Sequence, residues 1–162
     1  MVATTWQRLS MEALIDRLRR DHPNLVFTVG DAHCWSPQYN KIFYASGQNQ
    51  SDIAGLLHEV GHARLGHKDF TSDFELLQKE AAAWQEALRL AERYEVIIDD
   101  ALVQDCLDTY RDWLFRRSRC PNCQNAGIQQ TPHDYSCLNC SATWQVTTAR
   151  LRRPYRLQTH KK

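Results

Sequence analysis

The stretch LLHEVGHARLGH (residues 56–67) decides the reading of this chain. On a helix, positions four apart differ by about 40° of rotation, so His58 and His62 point the same way and can share one ion. Glu59 lies about 100° from His58, so its carboxylate can reach a water on that ion without ligating it. Metal-assisted hydrolysis needs this arrangement: zinc lowers the pKa of its water toward about 7, and a nearby carboxylate takes the proton. A helix is predicted from about Asp52 to Leu65, with Ser51 as its cap and Gly66 as its stop. Ile53, Ala54, Leu56, Leu57, Val60, Ala63 and Leu65 spread around nearly its whole circumference, the pattern of a buried helix. Two glycines, Gly55 and Gly61, would each cost about 1 kcal/mol against alanine. Gly61 lies about 60° from His58, where a missing side chain leaves room for a ligand or an adjacent chain.

Two histidines do not complete a catalytic zinc site, which usually has three protein ligands. The candidates are His67, Glu75 and Glu80. The long variant H-E-x-x-H-x-x-G-x-x-H wants glycine at 65 and histidine at 68; this chain has Leu65, Gly66 and His67, one residue out of phase. A capping box, Ser72-x-x-Glu75, opens the next helix, which runs to about Tyr94. On it Leu76, Leu77, Ala83, Trp84, Ala87 and Ala91 all lie within about 60° of Glu80, whereas Glu75 lies about 140° away with Gln85 and Arg89. A carboxylate at the centre of a buried face needs a compensating charge, which a zinc ion or a buried arginine supplies. A histidine just past a helix end, as His67 is, also suits the C-terminal dipole.

LLHEVGHARLGH together with LQKEAAAWQEALRLAERY (residues 77–94) resembles the ImmA/IrrE-type metallopeptidases. Those carry H-E-x-G-H on one helix and a glutamate ligand on the next. The resemblance covers about residues 25–94. It implies His58, His62 and Glu80 as zinc ligands, Glu59 as catalytic base, and a small sheet beside the active helix. The implied fold is α+β, a minimal zincin-like domain of a small antiparallel sheet plus helices. The implied activity is cleavage of intracellular regulators, often DNA-binding repressors. SprT-like metalloproteases also join H-E-x-x-H to a C-terminal zinc ribbon, but with a histidine as third ligand. No histidine occurs between His67 and His133, so only His67 could serve that way.

A second metal group follows. Cys120-Pro-Asn-Cys123, thirteen residues, then Cys137-Leu-Asn-Cys140 reads as a zinc ribbon, each C-x-x-C forming a knuckle that delivers two thiolates. Four thiolates close the coordination shell, so this zinc is expected to be structural. Ile128 and Tyr135 are candidates for its small core, with Trp144 on the departing strand. Cys34 and Cys106 stand alone, and Cys106 falls on an apolar helix stripe.

Around these motifs, Ser10 caps a helix to about Arg20, with Leu14, Ile15 and Leu18 on one face. Leu25 to Val29 and Lys41 to Ala45 read as strands forming an antiparallel pair, with Gly30 to Asn40 as a loop. A fourth helix covers about Asp100 to Arg117, with Leu102, Cys106, Tyr110, Trp113 and Leu114 on one stripe. The expected organisation is a metallopeptidase domain (1–118), a ribbon (119–147) and a basic tail (148–162).

Of the 162 residues, 43% are apolar and 24% charged, which excludes compositional disorder. There is no apolar run near 18 residues and no apolar signal core at the N-terminus, so a cytoplasmic protein away from membranes is expected. The formal net charge of +1 conceals a split. Residues 116–162 hold nine Lys/Arg against the single acid Asp134, a net +8 that leaves −7 for residues 1–115. The basic tail with Tyr155 could contact phosphates and stack on a base, so nucleic acid is a candidate partner. The expectation is therefore an intracellular zinc endopeptidase acting on a protein substrate, with one catalytic and one structural zinc. The alternatives are a SprT-like protease, or a non-catalytic ribbon binding nucleic acid or protein on a protease-like scaffold.

Overall fold

Ser10 Oγ accepts the Ala13 amide at 3.2 Å and starts α1 (Met11–Asp21), whose Met11, Leu14, Ile15 and Leu18 are buried along one face. The computed structural model describes residues 9–147 and 156–159. It is α+β and forms two compact units, Met1–Lys68 with Lys79–Val103, and Asp69–Gln78 with Gln104–Lys162.

In the first unit, β1 (Val26–Val29), β2 (Cys34–Ser36) and β3 (Lys41–Tyr44) form a sheet in the order β1-β3-β2. The expected antiparallel pairing of the outer two sequence strands is corrected: Val26 lies opposite Lys41 and Val29 opposite Tyr44 in a parallel register. The segment expected to be a loop supplies the reason. It contains β2, which carries the chain back and pairs antiparallel with β3, Trp35 facing Ile42. A short 3-10 turn at Pro37–Tyr39 and Asn40 in the left-handed region, φ 46°, then reverse the chain again. Ile42 and Tyr44 of this central strand are buried.

The next helix, α2 (Gln50–Arg64), is capped by Asn49 and not by Ser51. Asn49 Oδ1 accepts the Asp52 amide at 2.8 Å, and Asp52 Oδ2 accepts the Asn49 amide at 3.2 Å, a reciprocal capping box. Ile53, Ala54, Leu56, Leu57 and Val60 are buried. The helix stops before Gly66, whose φ is +64°. The part of α3 (Asp73–Tyr94) in this unit buries Ala83, Trp84, Ala87, Leu90, Ala91 and Tyr94.

The second unit holds the start of α3, most of α4 (Asp100–Ser118), and β4 (Gly127–Gln129), β5 (Asp134–Cys137), β6 (Thr143–Val146) and β7 (Arg156–Thr159). The buried face of α4 is carried by Val103, Leu107 and Trp113; of the expected stripe Trp113 is buried, while Leu102, Cys106, Tyr110 and Leu114 are half-buried. Two apolar rows lie side by side on this helix, and the periodicity alone does not choose between them. The four strands pair in sequence order, each antiparallel to the next. Cys120, Tyr135, Cys137, Trp144 and Val146 make the ribbon's small core, with Tyr135 stacked on Trp144 at 5.6 Å. Ile128, expected in that core, is exposed. Residues 156–159 of the expected tail form β7; the rest of the tail, Tyr155 included, lies outside the described residues.

A buried ion pair anchors the ribbon to the helices of its unit. Arg117, 1% exposed, donates through Nε to Asp73 Oδ2 at 2.5 Å and through Nη2 to Asp73 Oδ1 at 3.2 Å. The same guanidinium donates to the carbonyls of Pro132 and Thr147. Asp73 also accepts from the Tyr135 hydroxyl and from the Gln129 side chain. A buried charge pair persists only when its remaining hydrogen-bonding capacity is satisfied, and here it is. Among the described residues, no helix is long and apolar enough to cross a membrane.

Candidate metal centres

The helix α2 turns His58 and His62 to one side, as the four-residue spacing dictates. The neighbouring α3 delivers Glu80 to the same point. His58 Nε2 lies 3.1 Å from Glu80 Oε2 and 3.1 Å from His62 Nε2, and His62 Nε2 lies 3.5 Å from Glu80 Oε2. Ligand atoms held about 2.0–2.1 Å from one ion at tetrahedral angles stand about 3.3 Å apart, so the triangle has the size a zinc site requires. His58 is 8% exposed and Glu80 6%. Burial pushes the Glu80 carboxyl up, but the hydrogen bonds to His58 and His62 outweigh it and hold the group well below the usual carboxylate range. The charged form is thus the one the pocket favours.

Gly61 makes this convergence sterically feasible. A Cβ there would stand 2.5 Å from the carbonyl oxygen of Ala83, so the missing side chain serves an adjacent chain and not a ligand. Six residues earlier on α2, Gly55 backs onto the His33 imidazole, which a Cβ would approach to 2.8 Å. Trp84, four residues after Glu80, stacks on the His58 ring with centroids 4.3 Å apart.

Glu59 points its carboxylate at the sheet: Oε2 accepts the backbone amide of Trp35 at 2.7 Å. The Trp35 indole donates to the carbonyl of His67 at 2.8 Å. His67 in turn sets its Nδ1 2.9 Å from Nδ1 of His62. Of the three candidate third ligands, Glu80 therefore joins the pair. His67 meets the far side of the His62 ring. Glu75 serves the start of α3, its Oε2 accepting the amide and hydroxyl of Thr71. Neither Trp35 nor its amide was legible in the sequence, because β2 lies in a segment that reads as loop. Trp84 carries a signal, since it sits one turn beyond Glu80 on the same stripe. Tyr44 is buried in β3, and both ring nitrogens of His33 are buried without a partner among the described residues.

In the second unit, Cys120, Cys123, Cys137 and Cys140 bring their sulfurs within 4.8 Å of one another. Sγ of Cys120 lies 3.6 Å from that of Cys140, and Sγ of Cys123 lies 3.5 Å from that of Cys137. Sulfurs about 2.3 Å from a tetrahedral zinc stand about 3.8 Å apart, close to these separations. Amide donors, that of Asn125 foremost, hold the Cys123 thiol below its ordinary range and favour a thiolate. Both donor sets, His₂Glu and Cys₄, are compatible with zinc. The chain matches no protein-family profile, no curated protein and no solved structure.

Proposed function

We propose that the chain is a zinc-dependent endopeptidase that hydrolyses peptide bonds in a protein substrate of the cytoplasm. One observation carries this reading: two imidazoles from α2 and a carboxylate from α3 put three donor atoms 3.1–3.5 Å apart in a buried triangle. A zinc ion bound there supplies a Lewis acid for the scissile carbonyl and an acidified water. Glu59 takes the proton from the attacking water and returns it to the leaving amine. Because its Oε2 is engaged by the Trp35 amide, Oε1 is the oxygen available for that transfer. Glu80 and Trp84 fix the position and plane of His58, and Gly61 lets their helix come close enough to do so. The four-cysteine group uses every coordination position for a thiolate, so its role is structural.

The choice of Glu80 over His67 favours an ImmA/IrrE-like peptidase over a SprT-like one. That resemblance suggests a regulator or a DNA-bound protein as substrate. The nucleic-acid-binding alternative draws less support from the basic end of the chain. Arg117 is spent on Asp73, and Arg156 donates to the carbonyl of Arg119 at 2.7 Å.

The test uses Glu59→Gln, which keeps the three ligands and removes the base. Proteins retained by this variant from a cell extract are incubated with wild-type chain, and new N-termini are read by mass spectrometry. The expected result is cleavage by the wild type, none by Glu59→Gln, and equal zinc in both. New termini produced equally by both would overturn the role of Glu59, and none from either would overturn the peptidase reading.

A further inference from the structure

We propose that His67 is a positioning residue of the metal site, whose ring accepts a hydrogen bond from His62 and fixes which nitrogen His62 offers to the ion. The inference rests on the proposed zinc site and assigns a role to a side chain outside its ligand set. Three bonds hold His67 in place. Its backbone amide donates to the His62 carbonyl at 3.0 Å, folding the chain back over the last turn of α2. Its carbonyl accepts the Trp35 indole at 2.8 Å. Its ring nitrogen Nδ1 then lies 2.9 Å from Nδ1 of His62. Two ring nitrogens at that distance share one proton, so one ring donates and the other accepts.

The triangle decides which. Nε2 of His62 faces Nε2 of His58 and the Glu80 carboxylate, so it is the nitrogen turned to the ion. A neutral imidazole that offers its Nε2 lone pair carries its hydrogen on Nδ1. His62 is therefore the donor, and His67 accepts through Nδ1 with its own hydrogen on Nε2. Metal-bound histidines commonly pass their second N–H to a carboxylate or a backbone carbonyl, which orients the ring and raises its basicity. Here another histidine fills that place. The other ligand of α2 is held differently: Nδ1 of His58 is buried with no partner among the described residues, and its ring rests on Trp84. Of the two imidazoles on α2, His62 is thus the one whose second ring nitrogen is hydrogen-bonded, and His67 provides that bond.

Two variants separate positioning from packing. His67→Asn keeps an acceptor oxygen at the place of Nδ1; His67→Leu keeps bulk without one. The readout is zinc affinity of the open site, measured by chelator competition in the full-length chain with the four-cysteine site filled. His67→Leu is expected to weaken zinc binding about 10–100-fold, and His67→Asn to recover most of that loss. Equal affinity of His67→Leu and wild type, or equal losses in both variants, would overturn the inference. Long-range ¹H–¹⁵N spectra of the wild type provide a check that needs no variant to fold. His62 is expected as the Nδ1–H tautomer and His67 as Nε2–H, and the reverse assignment contradicts the proposal. A wild-type chain that binds only one zinc would overturn the reading of the site itself, whereas two zincs with an indifferent His67→Leu would overturn this inference alone.

Discussion

Gly61 of α2 and Ala83 of α3 meet so closely that a Cβ on the glycine would stand 2.5 Å from the alanine's carbonyl oxygen. That contact sits beside His62 on one helix and one turn beyond Glu80 on the other, so it sets the spacing of the ligand triangle. Gly61→Ala should gain about 1 kcal/mol of helix propensity but lose more through a backbone overlap that no rotamer relieves. We expect a net loss of about 1–2 kcal/mol in urea unfolding and weaker zinc binding. A variant as stable as wild type with unchanged zinc affinity would mean that the two helices part without consequence.

Asp73 and Arg117 form the ion pair of the second unit, 2% and 1% exposed. Asp73→Ala leaves a buried guanidinium without its counter-charge, which should cost about 3–5 kcal/mol. Arg117→Lys should also fail to restore stability, because one ammonium cannot span both oxygens of Asp73 and two carbonyls. Chemical unfolding followed by tryptophan fluorescence measures both. A loss below about 1 kcal/mol for Asp73→Ala would show that the pair is not the anchor described.

The legible part of this molecule is local. The helical spacing of His58 and His62 and the place of Glu80 at the centre of an apolar stripe are set by residues within a few turns, and the structure brings all three together. Both C-x-x-C pairs converge for the same reason. Long-range choices were hidden. The parallel pairing of β1 with β3 depends on β2, three residues with no alternation to announce a strand. The Asp73–Arg117 pair spans 44 positions. Residues 156–159 read as tail because their strand partner, Thr143–Val146, is not adjacent in sequence. On α4 the expected stripe contributes Trp113 to the buried face, and Val103 and Leu107 come from the neighbouring apolar row, which differs by only about 100°.

The ribbon's core of five buried residues is too small to hold its strands together unaided. Cys123→Ser should therefore loosen the ribbon outright, since metal binding and folding are one event in such modules. Hydrogen exchange is expected to rise across β4, β5 and β6, and the buried Trp144 to shift its emission to the red, while β1, β2 and β3 keep their protection. Unchanged exchange in the ribbon would contradict a structural metal.

His33 and His22 give the first unit a pH dependence. Burial is the main cause that lowers both imidazoles from 6.5, with Asp52 and Glu59 opposing it at His33. The unfolded chain takes up protons at about 6.5 that the folded chain refuses. The stability contributed by these groups is thus present above 6.5 and lost as the pH falls through the lower, folded values. The urea midpoint should be lower at pH 5.5 than at pH 7.5, and His33→Gln should shrink that difference. An identical difference in the variant would show that His33 is solvated in the folded chain.

Metal counting on the purified chain probes the ligand triangle itself. Inductively coupled plasma mass spectrometry should find two zincs per wild-type chain and one in Glu80→Ala, because removing a ligand from an open three-residue site leaves the closed four-cysteine site intact. A single zinc in the wild type, or two zincs bound at undiminished affinity in Glu80→Ala, would contradict the account.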